Sequence, residues 1–317
     1  MDIQHQILEK MKAYDTIMLF RHSRVDGDCV GATKGMKALI QASFPDKKVL
    51  IVDDEHSDYL AFLGEDDAPV ADDVYAQSLA IVLDVSVASR ISNPKYALCK
   101  ELVKLDHHIN VEPYGDLMWV EEERSSACEM VADFYDKCRD ELTLTKDAAL
   151  YLYTGMVTDS GRFRYDAVNA RTFRLAAFLR EQPFDTNELY NHLYAMDYEQ
   201  VRLRAQFALK ICFTPHHVAY IYTTQEEKEQ YHADDFAISR GMVNVMSDIS
   251  GVHIRVNFTE SDKGVLCELR SDRVNINPIA VSFGGGGHQK ASGATVADRE
   301  TAMEMLESLD KLAEEMK

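Results

Sequence analysis

The chain has 317 residues, of which 46% are hydrophobic and 27% are charged, and its formal net charge is −19. This composition is typical of a globular protein long enough for two domains, and it excludes a disordered or fibrous chain. Because so acidic a protein repels a long polyanion, extended DNA or RNA is a poor partner unless a local basic patch overcomes the repulsion, whereas short anionic substrates held by a metal or by arginines are compatible with it.

The start of the chain lacks the basic and apolar regions of a signal peptide, and no apolar run is long enough to span a membrane. We therefore expect a cytoplasmic protein with no membrane partner. Six cysteines are spread along the chain without a C-x-x-C pair. The sequence thus predicts neither a disulfide framework nor a zinc site built from thiolates.

Apolar runs typical of buried strands alternate with helical segments in the first two thirds of the chain. Such alternation predicts an α/β fold in which the first domain is a doubly wound, mainly parallel sheet. The predicted strands are residues 15–20, 48–52, 79–83 and 101–105. The predicted helices are residues 29–42, 125–140, 145–157, 169–180 and 185–195.

Beyond residue 212 the pattern changes to the alternation of apolar and polar residues that is typical of strands in a mixed sheet. These strands are predicted at residues 218–222, 252–258 and 264–270. We place the first domain at residues 1–196, a linker helix at 197–213, and a smaller α/β domain with a mixed sheet at 214–317.

Carboxylates and imidazoles follow the first, third and fourth predicted strands. The carboxyl ends of parallel strands are where an open α/β sheet binds its ligands, so we expect these side chains to gather along one edge. Asp159 follows an apolar element in the same way, within residues 154–161, which we expect to break a helix. The residues at the strand ends are His22, Asp26, Asp28, Asp84, Asp106, His107 and His108.

Helix capping is the simpler interpretation of some of these residues. Asp28 is well placed to cap the helix that follows it, and residues 106–108 are compatible with a capping acid followed by two surface imidazoles. Capping explains Asp28 but leaves His22 and Asp26 unexplained.

Six ligands of carboxylate and imidazole type, with no thiolate, exceed what one divalent ion needs and suit two. Such a pair of ions activates a water and stabilises both the attacking and the leaving oxygen at phosphorus, so the set predicts phosphoester hydrolysis. The ligand types favour Mn²⁺, with Mg²⁺ or Co²⁺ as alternatives. Asp84 is placed to bridge the ions, His108 to contact or protonate the reacting phosphate, and Asp106 to orient an imidazole. The six are His22, Asp26, Asp28, Asp84, His107 and Asp159.

Four consecutive glycines, Gly284 to Gly287, precede His288 near the end of the chain. Ordering four glycines is entropically costly, which is typical of a backbone that approaches something closely. Successive free N–H groups in such a loop form an anion-binding nest. A flexible linker is the alternative, but a linker would not be followed by His288, Lys290 and a second cluster of small residues. We therefore interpret the loop as an anion-binding element.

These motifs carry a resemblance to a known family. His22-x-x-x-Asp26-x-Asp28, the single Asp84, Asp106-His107-His108 and Asp159 resemble, in the same order, the four motifs of the DHH phosphoesterase superfamily. The run from Gly284 to His288 resembles the signature of the DHHA1 domain that accompanies it. The resemblance covers nearly the whole chain, and its motifs are specific as a set.

The resemblance implies roles for individual residues. One metal is held by His22, Asp26 and Asp84, and the other by Asp28, Asp84, His107 and Asp159. His108 contacts the scissile phosphate, and the active site lies in the cleft between the two domains. The smaller domain binds the far end of the substrate through Arg270, Gly285, Gly286, Gly287 and His288. For Arg270 the alternative is a surface salt bridge with Glu268 or Asp272.

The two-domain form is similar to that of bifunctional oligoribonucleases, which trim very short RNAs and dephosphorylate adenosine 3′,5′-bisphosphate. The expected partners are therefore short RNA oligonucleotides or small phosphorylated nucleotides, and a homodimer is compatible with the sequence. Three alternatives stay open at this point: a phosphodiesterase for cyclic di-AMP or its linear product pApA, an inorganic pyrophosphatase, and a nucleotide-binding protein without catalytic activity.

Overall fold

The computed structural model describes residues 1–53, 55, 57–231, 235 and 237–316. The chain divides into two compact units, Met1–Ala195 and Met196–Lys317. Each unit has its own hydrophobic core of buried aliphatic and aromatic side chains. In these ranges no helix combines the length and the apolar character that crossing a membrane requires.

The described part of the first unit contains one parallel sheet of five strands in the order β2-β1-β3-β4-β5. The predicted doubly wound, parallel sheet is confirmed, although its edge strand β5 was not predicted. The strands are β1 Thr16–Phe20, β2 Lys48–Ile51, β3 Leu79–Leu83, β4 Glu101–Asp106 and β5 Leu117–Val120. The helices are α1 Ile3–Ala13, α2 Gly27–Ser43, α3 Asp72–Ala76, α4 Ala127–Lys137, α5 Lys146–Asp159, α6 Ala170–Leu179 and α7 Thr186–Tyr194.

The register of this sheet decides which residues share its carboxyl edge. Phe20 lies opposite Val82, and Leu83 lies opposite Leu105, so β1, β3 and β4 end at the same level. Because β3 is the middle strand of the three, Asp84 emerges between the loop after β1 and the end of β4. This topology brings three separate parts of the sequence to one place.

The second unit is built on a mixed sheet, as predicted. In the residues that the structure describes, six strands pair in the order β10-β11-β9-β8-β7-β6, with β7 and β8 parallel and the other pairs antiparallel. The strands are β6 Cys212–Phe213, β7 Ala219–Thr223, β8 Ile254–Ser261, β9 Gly264–Ser271, β10 Gly286–His288 and β11 Ala291–Val296. The helices are α8 Tyr198–Leu209, α9 Gln225–Tyr231, α10 Asn277–Ser282 and α11 Arg299–Glu314.

Helix α5 ends at Asp159, within residues 154–161, where the sequence predicted a break. The small residues of this segment also serve packing. A Cβ at Gly155 would lie 2.2 Å from Cys128 Sγ and 2.8 Å from Asp28 Oδ1, so only glycine allows α5 to approach α2 and α4 this closely. The close packing of α5 brings Asp159 to the carboxyl edge of the sheet.

Candidate active site

The two carboxylates that follow β1 have different structural roles. Asp26 is the N-cap of α2, and its Oδ1 accepts hydrogen bonds from the N–H groups of Asp28 and Cys29, both at 3.1 Å. The expectation that Asp28 caps this helix is therefore wrong. An N-cap has an extended backbone whose side chain turns back onto the first helical N–H groups, and Asp26 has that conformation.

Asp28 lies in the first turn of α2 with only 1% of its surface exposed. Its carboxylate reaches the start of α4, where it accepts hydrogen bonds from the N–H groups of Ala127 at 2.6 Å and Cys128 at 2.9 Å. The positive end of a helix is a favourable place for a carboxylate. These two donors hold Asp28 in one orientation at the edge of the sheet.

Asp84 occupies the centre of the site. Its φ of 64° lies in the left-handed region, which is uncommon outside glycine and is found at functional sites. Its Oδ2 lies 3.4 Å from His22 Nε2, and its Oδ1 lies 3.3 Å from His107 Nε2. Oδ1 is buried and, within the described residues, accepts no hydrogen bond. A buried carboxylate oxygen without a donor is suited to a cation.

Both imidazoles that face Asp84 are fixed through their other nitrogen. His22 Nδ1 lies 2.8 Å from the carbonyl oxygen of Ser23, and His107 Nδ1 lies 3.2 Å from that of Arg124. Because a carbonyl only accepts, each Nδ1 carries the proton, and in a neutral ring Nε2 then presents a lone pair to the site. A backbone partner of this kind is typical of histidines that ligate metals.

The electrostatics of the site reflect several carboxylates in a small buried volume. Burial, together with the charge of Asp84, raises the pKa of Asp28 to about 7. Burial, together with the charge of Asp28, raises the pKa of Asp159 well above its usual range. The pKa of Asp84 is instead lowered, because the neighbouring imidazoles of His107 and His22 outweigh the effect of its burial. The cluster thus has an excess of negative charge that bound divalent cations would neutralise.

The structure brings the six predicted metal ligands together. His107 Nε2 lies 3.7 Å from Asp28 Oδ2 and 3.4 Å from Asp159 Oδ2, and His22 Nε2 lies 3.5 Å from Asp26 Oδ2. The side chains form three groups with metal-binding spacing, each within 4.8 Å: His22, Asp26 and Cys29; Asp84, His107 and His108; Asp28, His107 and Asp159. Oxygen and nitrogen donors in this number fit divalent cations.

Cys29 is the member of these groups that the sequence did not indicate. It is fully buried in the first turn of α2, and its Sγ lies 3.3 Å from the backbone nitrogen of Asp26. The sequence carried one signal for Cys29. It lies three residues after Asp26, a spacing at which a side chain in the first turn of a helix reaches back to the N-cap. That spacing indicates capping as readily as metal binding.

Asp106 and His108 form a pair beside the cluster. Asp106 is fully buried, and its Oδ1 lies 2.9 Å from His108 Nδ1. Its Oδ2 lies 3.4 Å from the ammonium group of Lys104, which is also fully buried. Because Asp106 engages Nδ1, the Nε2 of His108 is the nitrogen that can contact a ligand.

Comparison with known proteins decides the family. Residues 16–156 match the DHH family, N-terminal domain, and residues 217–315 match the DHHA1 domain. Over 311 residues the chain is 31% identical to the bifunctional oligoribonuclease and PAP phosphatase NrnA of Bacillus subtilis (strain 168), with 98% of each chain covered. The chain belongs to the DHH family of phosphoesterases. It is therefore a metal-dependent hydrolase that acts on phosphate esters.

Two further proteins are similar over nearly the whole chain. The probable bifunctional oligoribonuclease and PAP phosphatase NrnA of Streptococcus mutans serotype c (strain ATCC 700610 / UA159) is 33% identical over 309 residues, with 96% of this chain and 98% of that protein covered. The crystal structure of an exopolyphosphatase-related protein from Bacteroides fragilis superposes with a TM-score of 0.86 at 24% identity, covering 99% of this chain and 96% of that one. The latter likeness shows the shared fold.

A buried polar network lies behind the metal site of this DHH-family enzyme, and the sequence did not reveal it. At its centre is Glu129, which is fully buried in α4. Its carboxylate accepts hydrogen bonds from the Ser125 hydroxyl at 2.6 Å, the Thr172 hydroxyl at 2.8 Å and Arg171 Nε at 3.1 Å. Arg124 Nη1 lies 3.5 Å from the same carboxylate. The network ties residues 124–129 to helix α6.

This network supports two of the predicted metal ligands at once. The carbonyl of Arg124 holds His107, and the start of α4, two residues before Glu129, holds Asp28. Ser126 and Glu129 have the spacing of a capping box, which forms only in part. The Ser126 hydroxyl accepts from the Glu129 N–H at 2.9 Å, but the Glu129 carboxylate turns to Ser125 instead.

In the DHHA1 domain, Arg270 lies near the end of β9 and is partly buried. Its Nη1 donates to Glu268 Oε2 at 3.1 Å and to the Leu269 carbonyl at 2.8 Å. The alternative that the sequence offered, a salt bridge with Glu268, is therefore present in this structure. These two hydrogen bonds from Nη1 hold the planar guanidinium in one orientation.

The glycine run of the DHHA1 domain is not an open loop. The N–H groups of Gly284 and Gly285 donate to carbonyls at the end of α10, and Gly286, Gly287 and His288 pair with β11. The expectation of free N–H groups is thus wrong for Gly284 and Gly285. The expectation of a close approach is met by the protein itself, because a Cβ at Gly285 would lie 2.1 Å from the carbonyl oxygen of Gly293.

Proposed function

We propose that this phosphoesterase hydrolyses short oligoribonucleotides to mononucleotides and removes the 3′-phosphate from adenosine 3′,5′-bisphosphate. The observation that carries the proposal is the position of Asp84, whose two carboxylate oxygens face His22 on one side and His107 on the other. One carboxylate between two sets of nitrogen and oxygen donors is the arrangement that a pair of ions requires. The names of the two curated relatives support the choice of substrates.

The ligand sets follow from which side chains lie on each side of Asp84. We assign His22, Asp26 and Asp84 to one ion, and Asp28, Asp84, His107 and Asp159 to the other. We propose Mn²⁺, with Mg²⁺ or Co²⁺ as substitutes, because the donors are carboxylates and imidazoles. When bound, such ions lower the pKa of a water molecule and stabilise charge on oxygens at phosphorus.

The protein supplies positioning and one further proton donor. Asp106 fixes His108 through Nδ1, so that His108 Nε2 contacts the scissile phosphate and protonates the leaving oxygen. Burial alone would raise the pKa of Asp106, but its hydrogen bond with His108 and the nearby charge of Lys104 lower it, which keeps Asp106 ionised.

We assign the remote part of the substrate to the DHHA1 domain. Arg270, His288 and the backbone of Gly285, Gly286 and Gly287 are the proposed contacts, with the guanidinium of Arg270 suited to a phosphate. The net charge of −19 favours short substrates, since repulsion grows with the number of phosphates outside the site. The cytoplasm, where such nucleotides occur, is the proposed compartment.

An assay with Mn²⁺ and three substrates tests this function. The substrates are a labelled RNA dinucleotide, adenosine 3′,5′-bisphosphate and cyclic di-AMP, each measured with and without EDTA. We expect EDTA-sensitive turnover of the first two and little of the third. Preference for the cyclic dinucleotide would identify a signalling phosphodiesterase instead. If none of the three is cleaved, pyrophosphate is the next substrate to assay, and the proposed function is wrong.

A further inference from the structure

The turn that follows Asp159 has an unusual backbone. Gly161, Arg162 and Phe163 have φ values of 57°, 62° and 62°, so two residues other than glycine adopt the left-handed conformation in succession. Hydrogen bonds hold the turn in this form: the Arg162 N–H donates to the Val157 carbonyl at 2.8 Å, and the Phe163 N–H to the Ser160 hydroxyl at 2.8 Å. The turn is therefore a fixed structure rather than a loose connection.

The side chains of this turn have opposite environments. The ring of Phe163 packs against Phe173 and Tyr153, with centroid distances of 5.6 and 6.0 Å, and anchors the turn to the core. Arg162 is exposed, and its guanidinium carbon lies 4.4 Å from the centroid of the Tyr194 ring. Stacking on an aromatic face orients the planar guanidinium and leaves its N–H groups at the edge able to donate.

Arg162 forms no ion pair with a carboxylate of the described residues, in a chain with a net charge of −19. Three other arginines of the same unit, Arg124, Arg139 and Arg171, each pair with an acid. An unpaired guanidinium three residues after Asp159, a proposed metal ligand, is suited to an anionic ligand of the same site.

Packing contacts connect the helix that carries Tyr194 to the loop that follows β1. Phe62 stacks on His192 at 4.6 Å, which joins the short helix Asp58–Leu63 to α7, the helix that ends at Tyr194. Leu60 of that short helix packs in one hydrophobic cluster with Cys29 of α2, and Leu193 of α7 packs against the same cluster. The turn that carries Arg162 begins directly after Asp159, so Arg162 and Tyr194 lie beside the candidate metal site of the first unit.

We propose that Arg162, held on the ring of Tyr194, binds a second phosphate group of the substrate, one that is not cleaved. This inference rests on the proposed function and makes it more specific. It identifies the preferred substrates as those that carry two phosphates, such as a 5′-phosphorylated dinucleotide. The two parallel N–H donors of a guanidinium match a phosphate in a bidentate contact.

The test compares two RNA dinucleotides that differ only in a 5′-phosphate, pApA and ApA, with wild type and the variant Arg162→Gly. Glycine is chosen because it adopts a φ of 62° without strain, so the turn keeps its form. We expect kcat/KM for pApA to fall about tenfold or more, the scale of a lost charged hydrogen bond, and kcat/KM for ApA to change less than about twofold. An equal fall for both substrates, or no fall for either, would overturn the proposal.

Two further variants sharpen the comparison. Arg139→Gly is a matched control, because Arg139 also lies over an aromatic ring, Phe178 at 5.4 Å, but pairs with Asp136. We expect it to leave both dinucleotides unaffected. Tyr194→Leu removes the ring that orients Arg162, and we expect a smaller loss that is again confined to pApA. Retention of full pApA selectivity in Tyr194→Leu would contradict the role of the ring.

A binding measurement separates this proposal from the proposed function. Calorimetry of the Mn²⁺-loaded protein with adenosine 5′-phosphate and with adenosine needs no turnover. Tenfold weaker binding of the phosphate by Arg162→Gly, with adenosine unchanged, supports the subsite even if no dinucleotide is cleaved; the proposed function would then fail alone. Equal affinity of wild type and variant for adenosine 5′-phosphate would overturn the subsite even if both dinucleotides are cleaved.

Discussion

The candidate metal site of the first unit and the glycine hairpin of the second are held in different ways. Asp28, Asp84 and Asp106 are at most 2% exposed, and backbone N–H groups or imidazoles orient their carboxylates. The hairpin from Gly286 to His288 is largely exposed and is supported by its pairing with β11. The difference matches two tasks, because chemistry at phosphorus needs atoms at fixed distances, whereas recognition of varied nucleotides tolerates an adaptable surface.

Removing the central carboxylate should have the largest effect. Asp84→Asn keeps the size of the side chain but lowers its charge and its capacity to face two groups of ligands. We expect kcat to fall about 10³-fold or more, the scale at which loss of electrostatic stabilisation in an active site acts. The measurement is steady-state hydrolysis of a dinucleotide with Mn²⁺, together with the metal content of the purified protein.

The control for this variant is Asp136→Asn, on the exposed end of α4 and paired with Arg139. It should keep wild-type activity and two equivalents of metal. If Asp84→Asn keeps more than about a tenth of the wild-type kcat, the bridging assignment is wrong, because removal of a functional metal ligand is not so mild.

Disrupting the buried network around Glu129 should have the second largest effect on activity. Glu129→Gln removes one of the three carboxylate charges around Arg124, whose carbonyl holds His107, and leaves the side-chain volume nearly unchanged. Loss of such supporting contacts typically weakens metal binding about 10- to 100-fold. We expect the Mn²⁺ concentration for half-maximal activity to rise by that factor, with kcat largely recovered at saturating Mn²⁺.

A loss of kcat that Mn²⁺ does not restore would instead place Glu129 in the chemistry itself. An unchanged Mn²⁺ requirement would mean that residues 124–129 keep their position without the charge. Thr172→Val, which removes one donor to the same carboxylate, should shift the Mn²⁺ requirement in the same direction but by less.

Substitutions in the second unit should have smaller effects, and of another kind. Arg270→Ala and His288→Ala remove proposed contacts with the remote part of the substrate. We expect KM to rise about tenfold and kcat to stay within about twofold, because such contacts are equally strong in the ground state and the transition state. Lys263→Ala, at the exposed turn between β8 and β9, serves as the control. Unchanged KM in both variants would move the remote subsite elsewhere.

Much of the metal centre was predictable because its signal is local. Apolar runs located β1, β3 and β4, and the ionisable residues after them were expected at the carboxyl edge that parallel strands share. The distinction between Asp26 and Asp28 was not predictable, because either acid has the spacing of an N-cap. The choice depends on Asp28 finding a partner at the start of α4, about a hundred residues later in the chain.

The buried network around Glu129 could not be predicted from the sequence for the same reason. Glu129 reads from the sequence as part of a capping box, and its contacts with Arg171 and Thr172 exist only after α6 packs on α4. The short edge strand β5, Leu117–Val120, gave too few residues for a periodic pattern. Contacts between distant residues, rather than local preferences, decide these features.

The smallest predicted effect concerns the pH dependence of stability, and it contrasts the buried network around Glu129 with an exposed acid. The pKa of Glu129 is lowered, because hydrogen bonds from Ser125 and Thr172 outweigh the opposing effect of burial. A carboxyl whose pKa is lower in the folded state contributes stability that is present above its unfolded pKa of about 4.5 and is lost as the pH falls through the folded value. The difference in thermal unfolding temperature between wild type and Glu129→Gln, measured from pH 7 to pH 3.5 in EDTA, should therefore be largest at pH 7 and shrink on acidification.

Glu307, an exposed acid on α11, provides the comparison, since Glu307→Gln should unfold like wild type throughout. A constant difference between wild type and Glu129→Gln across this range would show that shape, rather than the charge of Glu129, stabilises the network.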